Sequence, residues 1–317
     1  MHLLSVVIPT RNRASLVRRA INSGLAEGVN VVVVDDASSD HTAAVVRGFA
    51  ESGVNYLRLP ENRGPCYARN VGVGMVERGL ILFLDDDDEL LPGAGDAIRS
   101  VAGRHPGFDL YLHNCLHPDG KPSLAELDGT AVCTYDDWLA WRFAIELKPV
   151  VTRELFNSYS YDDTGAGGEH LLWTRVIRDR GAVVSKRPIV RYNNDASVNR
   201  LTSAAGMLTR APENAAIADR LLSEFGADIR RSSQHEWARR MVAAATYHLL
   251  SGDRERARGI LSSVPSALLP LGMRHALVVL TFLPAAALQT LFLLYRREFL
   301  ATVKRRLGRR ASTRRDP

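Results

Sequence analysis

Four consecutive aspartates, Asp85 to Asp88, follow directly on the apolar run Leu80 to Leu84. Adjacent carboxylates repel, so a chain that sets four of them at the end of an apolar segment needs positive charge there. A divalent cation is the simplest source. Oxygen-only donors favour Mg2+ or Mn2+, which keep waters and bridge to a substrate diphosphate rather than sit in an all-protein cage. Taken alone, such a run reads equally well as a solvated loop or a helix N-terminus that favours negative charge.

The elements around the acids favour the chemical reading. Leu80–Leu84 has the continuous apolar character of a strand covered on both faces. Before it, Leu3–Ile8 reads as a strand closed by Pro9, Ser15–Gly24 as a helix, and Val29–Val34 as a second strand ending in Asp35 and Asp36. Asp40 suits the N-cap of the next helix, Asn55–Leu59 a third strand, and Pro65 the start of a helix reaching about Arg78. Pro92 suits the first turn of a helix after the acids, and Asp109–Asn114 a further strand. This alternation predicts an α/β, doubly wound, mostly parallel sheet with right-handed crossovers. Ligands of such sheets bind beyond the carboxyl ends of the strands, near the topological switch point. Pro9–Arg13, Asp35–Asp40 and Asp85–Asp88 are the segments at those ends. No GxGxxG follows the first strand and no GxxxxGK[ST] occurs, which argues against a dinucleotide oxidoreductase and a P-loop NTPase.

The charge is unevenly placed. Residues 296–317 hold nine Lys/Arg against Glu298 and Asp316, while the whole chain of 317 residues is only +6. The body is therefore nearly neutral, and the basic tail does not describe a nucleic-acid-binding face. Cys66, Cys115 and Cys133 form no CxxC pair, as expected of free thiols in a reducing compartment with no zinc site. The apolar start Leu3–Ile8 is too short for a signal-peptide core, so a cytosolic body is expected.

Strand signals end near Ala204, after which Trp237, Met241, Ala244, Ala245 and His248 share one helical face. Ala276–Tyr295 carries no formal charge over 20 residues but contains Pro284 and Gln289. A single span would carry the basic tail away from the cytosolic body, against the positive-inside tendency. An in-plane or re-entrant segment leaves the tail where anionic lipid can meet it, so monotopic attachment at the cytoplasmic face is expected ahead of a span or a buried helix.

Five blocks, Val6–Arg13, Val33–Thr42, Asn62–Gly72, Leu84–Pro92 and Gly167–Arg175, occur in the order found in family 2 inverting glycosyltransferases, which the chain resembles. The resemblance covers about the first 200 residues. It implies a GT-A catalytic domain over residues 1–202, to which the pattern above adds a helical cap over 203–268 and an apolar, membrane-associating helix with basic tail over 269–317. It also implies transfer of a sugar from a nucleotide-diphosphate donor, expected to be a UDP-sugar, to an acceptor hydroxyl with inversion. A glycan or lipid-linked acceptor, a surface polysaccharide or glycolipid as product, and Mn2+ or Mg2+ as cofactor follow from the same likeness.

Position by position, the likeness gives Asp36 to the donor base, Pro9, Thr10 and Arg13 to the nucleotide, and Arg69 and Asn70 to the ribose and diphosphate. Asp87 becomes the metal ligand, with Asp85 as the other acid of the DxD pair and Asp85 or Asp86 as ribose contact. The chain departs from the family pattern at the base, where Glu169 stands in the frame of an aspartate; His170 is an alternative proton acceptor. It departs again where a metal-binding histidine is usual, where Asp195 offers either an oxygen ligand or part of a plain polar loop after a strand. Trp138, Trp141 and Phe143 form either a sugar-stacking face or core, and Ser158–Gly168 either a lid or a plain connection. A sugar nucleotidyltransferase and a degenerate membrane-bound scaffold are the competing readings.

Overall fold

The computed structural model describes residues 3–124, 129–143, 146–162, 168–193, 204–269, 279–284 and 287–294. Two compact units divide the chain, residues 1–198 and 199–317.

The first unit runs β1 (Leu4–Thr10), α1 (Ala14–Ala26), β2 (Asn30–Asp35), α2 (Thr42–Arg47), β3 (Asn55–Arg58), α3 (Pro65–Gly74), β4 (Leu80–Phe83), β5 (Glu89–Leu90), α4 (Ala94–Arg104), β6 (Leu110–Leu116), β7 (Thr130–Cys133), α5 (Tyr135–Leu139), β8 (Leu147–Thr152), α6 (Glu169–Arg180) and β9 (Ala182–Arg191). The strands form one sheet ordered β3-β2-β1-β4-β8-β6-β9-β5, with β7 on β9. β3, β2, β1 and β4 are mutually parallel, as the alternation of strands and helices demands. β8 is inserted antiparallel between β4 and β6, so the second half of the sheet is mixed.

Both faces of the sheet are covered. Val6, Ile8, Val31, Val33 and Leu82 pack with Val17 and Ile21 of α1 and Ile98 of α4. Their strand neighbours Val7, Val32, Val34, Ile81 and Phe83 pack with Cys66, Ala68 and Val73 of α3 and Leu172 and Val176 of α6. Each such side chain contributes about 1.5–3 kcal/mol on burial. Two-sided burial is why these strands are apolar throughout rather than alternating.

Three local expectations are corrected. Pro9 does not close β1, which continues to Thr10 opposite Asp35. The ladder to β4 already ends at Val7–Phe83, so the missing N–H of Pro9 forfeits no bond on that side. Pro92 precedes the helix rather than opening it, and Gly93, at φ 76°, turns the chain into α4. The helix from Pro65 stops at Gly74, short of Arg78.

The second unit is helical: α7 (Ala204–Thr209), α8 (Ala211–Ser232), α9 (Gln234–Ser251) and α10 (Arg254–Ser263). Ser233 caps α9 by accepting from the Glu236 N–H, and Gly252, at φ 94°, makes the turn toward α10. Ala244, Ala245, Leu249, Ile260, Leu261 and Leu288 form the core of this unit. The apolar segment 276–295 is interrupted by a turn at 281–283 before Pro284, and helix resumes at 287–294. Among the described residues no helix is long and apolar enough to cross a membrane.

Candidate active site

The carboxyl ends of β1, β2 and β4 meet where the winding reverses, and the acids gather there. The Thr10 hydroxyl donates to Asp86 Oδ2 at 2.7 Å. Arg13 lies 3.3 Å from Asp87 Oδ2 and 3.7 Å from Asp86 Oδ1. Arg19, from α1, donates to the Asp87 carbonyl at 2.9 Å. Burial, reinforced by the flanking Asp87 and Asp85, pushes the Asp86 carboxyl up to about 7 against the opposing pull of Thr10 and Arg13.

Asp85 sits between two cations. Its Oδ1 accepts from Arg69 at 2.9 Å and its Oδ2 from Lys148 at 2.6 Å. Burial alone would raise its pKa, but Lys148 and Arg69 together outweigh that and hold it well below the usual carboxylate range. Lys148 also reaches Asp88 Oδ2 at 2.8 Å. Burial would drain its charge, yet the two carboxylates raise its pKa well above that of a free lysine. Arg69 completes the chain, its other nitrogen donating to Glu169 Oε1 at 2.6 Å. Arg69 and Glu169, 100 positions apart, thus pair directly, and the same guanidinium links Glu169 to Asp85.

Glu169 opens α6, where a negative charge is favoured by the helix dipole, and its side chain is 34% exposed. His170 has a different environment. Its ring stacks on Trp138 at 5.1 Å and meets Trp141 edge-on at 5.3 Å. Trp138 is fixed in turn by its indole N–H, which donates to Thr174 at 2.9 Å. Trp141 is exposed and holds a left-handed φ of 59°, a conformation disfavoured for a bulky residue. Phe143 packs partly buried on the α3/α6 face of the sheet.

Asp36 and Asn70 are already engaged. Asp36 accepts the Arg63 N–H at 2.7 Å and the Gly64 N–H at 2.8 Å, clasping the loop that enters α3. Each of its oxygens keeps a second lone pair for a ligand. The Asn70 amide donates to the Tyr161 carbonyl at 2.9 Å and accepts the Tyr161 N–H at 3.0 Å, which ties α3 to the segment before α6. Pro9 lies in β1, one residue before Thr10.

Among the described residues no three His, Cys, Asp or Glu side chains converge as a metal cage. Asp195 lies outside the described residues, as do 163–167 of the expected lid. Both Asp85 oxygens are spoken for by cations, so the charge that four aspartates require comes in large part from Lys148, Arg69 and Arg13. Asp87, with Oδ2 3.3 Å from Arg13, is the carboxylate that would hold a hard cation such as Mg2+ together with diphosphate oxygens and water. Lys148 went unread because Pro149 obscures its strand. A lysine two positions before the apolar pair Val150–Val151 was the available signal.

Residues 5–98 match the family model described as glycosyl transferase family 2. A GalNAc(5)-diNAcBac-PP-undecaprenol beta-1,3-glucosyltransferase of Campylobacter jejuni is 28% identical over 197 residues, 59% of this chain and 63% of the relative. Succinoglycan biosynthesis protein ExoU of Rhizobium meliloti is 42% identical over 119 residues, 36% of this chain and 33% of the relative. The chain thus spans less than two thirds of either. The structure of S. aureus TarS 1-349 superposes with a TM-score of 0.55 at 18% identity, covering 93% of this chain and 91% of that one. Mannosyltransferase PcManGT from Pyrobaculum calidifontis, in complex with GDP-Man and Mn2+, gives 0.54 at 15%, covering 93% and 88%. At these identities the structural likeness speaks for the fold.

Proposed function

We propose that the chain, whose residues 5–98 match the glycosyl transferase family 2 model, is a glycosyltransferase of that family and transfers a sugar from a nucleotide-diphosphate donor to an acceptor hydroxyl with inversion. The observation that carries this reading is the continuity Asp85–Arg69–Glu169, at 2.9 and 2.6 Å, which sets the acid cluster beside a carboxylate. Pro9, Thr10 and Asp36 form the nucleotide side, with Arg13 beside Asp86 and Asp87. Glu169 takes the proton of the acceptor hydroxyl, whose oxygen attacks the anomeric carbon as the nucleoside diphosphate leaves on the opposite side. His170, wedged between two tryptophans, orients that wall of the site.

A Mn2+ or Mg2+ ion held by Asp87 would neutralise charge on the departing diphosphate. Arg13 and Arg69 supply fixed positive charge on the same side. The exposed face of Trp141, next to His170, is the platform on which an acceptor pyranose stacks.

Relatives whose names refer to an undecaprenol-linked glycan and to succinoglycan support a surface glycan or lipid-linked acceptor. Attachment to the cytoplasmic face of the membrane belongs to the same reading, through the exposed Val279, Phe282, Leu291, Leu293 and Leu294 and the basic residues that follow them in sequence. The test is a thermal-shift and product-release panel of UDP-glucose, UDP-N-acetylglucosamine and GDP-mannose with and without Mn2+. A bound donor raises the melting temperature, since it binds only the folded state. Release of nucleoside diphosphate supports transfer; release of pyrophosphate from a nucleoside triphosphate and a sugar phosphate would assign a nucleotidyltransferase instead.

A further inference from the structure

Resting on that reading, we propose that Lys148 is a positioning residue for the transfer step: its ammonium holds Asp85, and through Asp85 the guanidinium of Arg69, in the geometry that presents Glu169 to the acceptor.

The lysine stands on β8 opposite His113 of β6, on the sheet face that carries Tyr111 and Val150. Its side chain is only 5% exposed. An ammonium in such a place is tolerated only when its charge is paired and its protons are directed. Lys148 has two carboxylates, Asp85 at 2.6 Å and Asp88 at 2.8 Å. Asp88, at one end of the chain of charges, is fully buried and accepts the Asn193 N–H at 3.1 Å, which fixes Asp88 itself. The other end is Arg69, also nearly buried, which divides its two terminal nitrogens between Asp85 and Glu169.

The order of these contacts matters. With Oδ2 held by Lys148, the Asp85 carboxylate has one orientation, in which Oδ1 faces Arg69. Arg69 then has one orientation in which its remaining nitrogen meets Glu169. Without the ammonium, Asp85 is free to turn toward Arg69 with both oxygens in a bidentate pair, which draws the guanidinium away from Glu169. The base candidate would lose its fixed donor although nothing touching it had changed.

A buried ion pair can also serve folding alone, and the experiment separates the two roles. Lys148→Met strands Asp88 and is expected to destabilise the fold. In Lys148→Met/Asp88→Asn both ends of the pair are neutral, Asn keeps an oxygen for the Asn193 N–H, and the fold is largely restored. Nucleoside diphosphate release is measured with Mn2+ for whichever of UDP-glucose, UDP-N-acetylglucosamine or GDP-mannose the wild type turns over, with water as acceptor. The double variant is expected to melt near the wild-type temperature with kcat down about 100-fold, the loss typical of an ångström-scale misplacement, and donor KM within about threefold. Asp88→Asn alone leaves Lys148 on Asp85 and is expected to stay within about threefold of wild-type kcat, by the same positional argument.

A double variant that folds and matches wild-type kcat overturns the role of Lys148 and leaves the glycosyltransferase reading intact. So does an Asp88→Asn loss as large as that expected of the double variant, which would serve as the deciding result if the double variant did not fold. A wild type that releases diphosphate from none of the three donors overturns the reading underneath.

Discussion

Gly72 faces the sheet from the last turn of α3, one turn beyond Arg69. A methyl carbon built there would lie 2.4 Å from Val7 Cγ1 and 3.3 Å from Val34 Cγ2. Carbon atoms prefer about 3.5–4.0 Å, so Gly72→Ala forces α3 about 1 Å off the sheet or drives the fully buried Val7 from its rotamer. Overpacking of this kind costs about 1–3 kcal/mol, and the better helix propensity of Ala returns about 1 kcal/mol. The 2.4 Å approach puts the overpacking in the upper half of that range, so the net destabilisation is about 1–2 kcal/mol, a fall in Tm of roughly 4 °C for a domain of this size. The displacement also carries Arg69 away from Glu169, whose 2.6 Å contact has little slack. Nucleoside diphosphate release should therefore fall more than stability does. Removing the obstructing methyl with Val7→Ala in the Gly72→Ala background should return about 1 kcal/mol relative to the sum of the single changes, read by a denaturant double-mutant cycle. A Gly72→Ala protein as stable as wild type, or single changes that simply add, would refute the close-packing argument.

Other outcomes follow from the same structure. His113 is fully buried, neither of its ring nitrogens has a partner among the described residues, and burial pushes its pKa down to about 3. The unfolded chain binds a proton there below about 6.5 whereas the folded chain does not, so the stability of the folded state declines as pH falls through that window. The stability of His113→Leu relative to wild type should improve by about 1.4 kcal/mol per pH unit between pH 6 and 4 and stay flat above 7.5, and denaturant titrations showing a constant difference would contradict it. Trp141→Ala should raise acceptor KM up to about tenfold, with Trp141→Phe recovering most of it; equal KM values across the three proteins would remove the stacking platform. Asn70→Ala breaks both bonds to the Tyr161 backbone and should cost about 1–3 kcal/mol in a denaturant titration; no change would deny the clamp.

The parallel half of the sheet was legible because its strands are buried on both faces and its helices intervene at regular spacing. Asp85 to Asp88, Thr10, Arg13 and Asp36 could be placed together from topology alone, since each follows a strand whose carboxyl end is shared. In the half that holds the antiparallel pairs only β6 was legible, read as Asp109–Asn114. β8 contains Pro149 and β9 contains Pro188, each of which argues locally against a strand, and tertiary pairing overrides that preference where the proline faces an unpaired side or a shift in register. The partners of the acids were hidden for a related reason. Repulsion among four carboxylates predicts a counter-charge but not its source, and Lys148 lies 63 positions from Asp85 along the chain. The roles of Asp36 and Asn70 as backbone clasps depend on loop positions that no residue spacing reveals.

The central claim is that Glu169, joined to the acid cluster through Arg69, removes the proton of the attacking hydroxyl. Its most direct test is kcat for nucleoside diphosphate release by Glu169→Gln beside His170→Ala, with donor affinity measured separately by calorimetry. The account predicts that Glu169→Gln binds donor nearly as wild type while kcat falls about 10²–10⁴-fold, the usual worth of a general base, and that His170→Ala falls much less. Near-normal turnover by Glu169→Gln together with loss of activity in His170→Ala would contradict it.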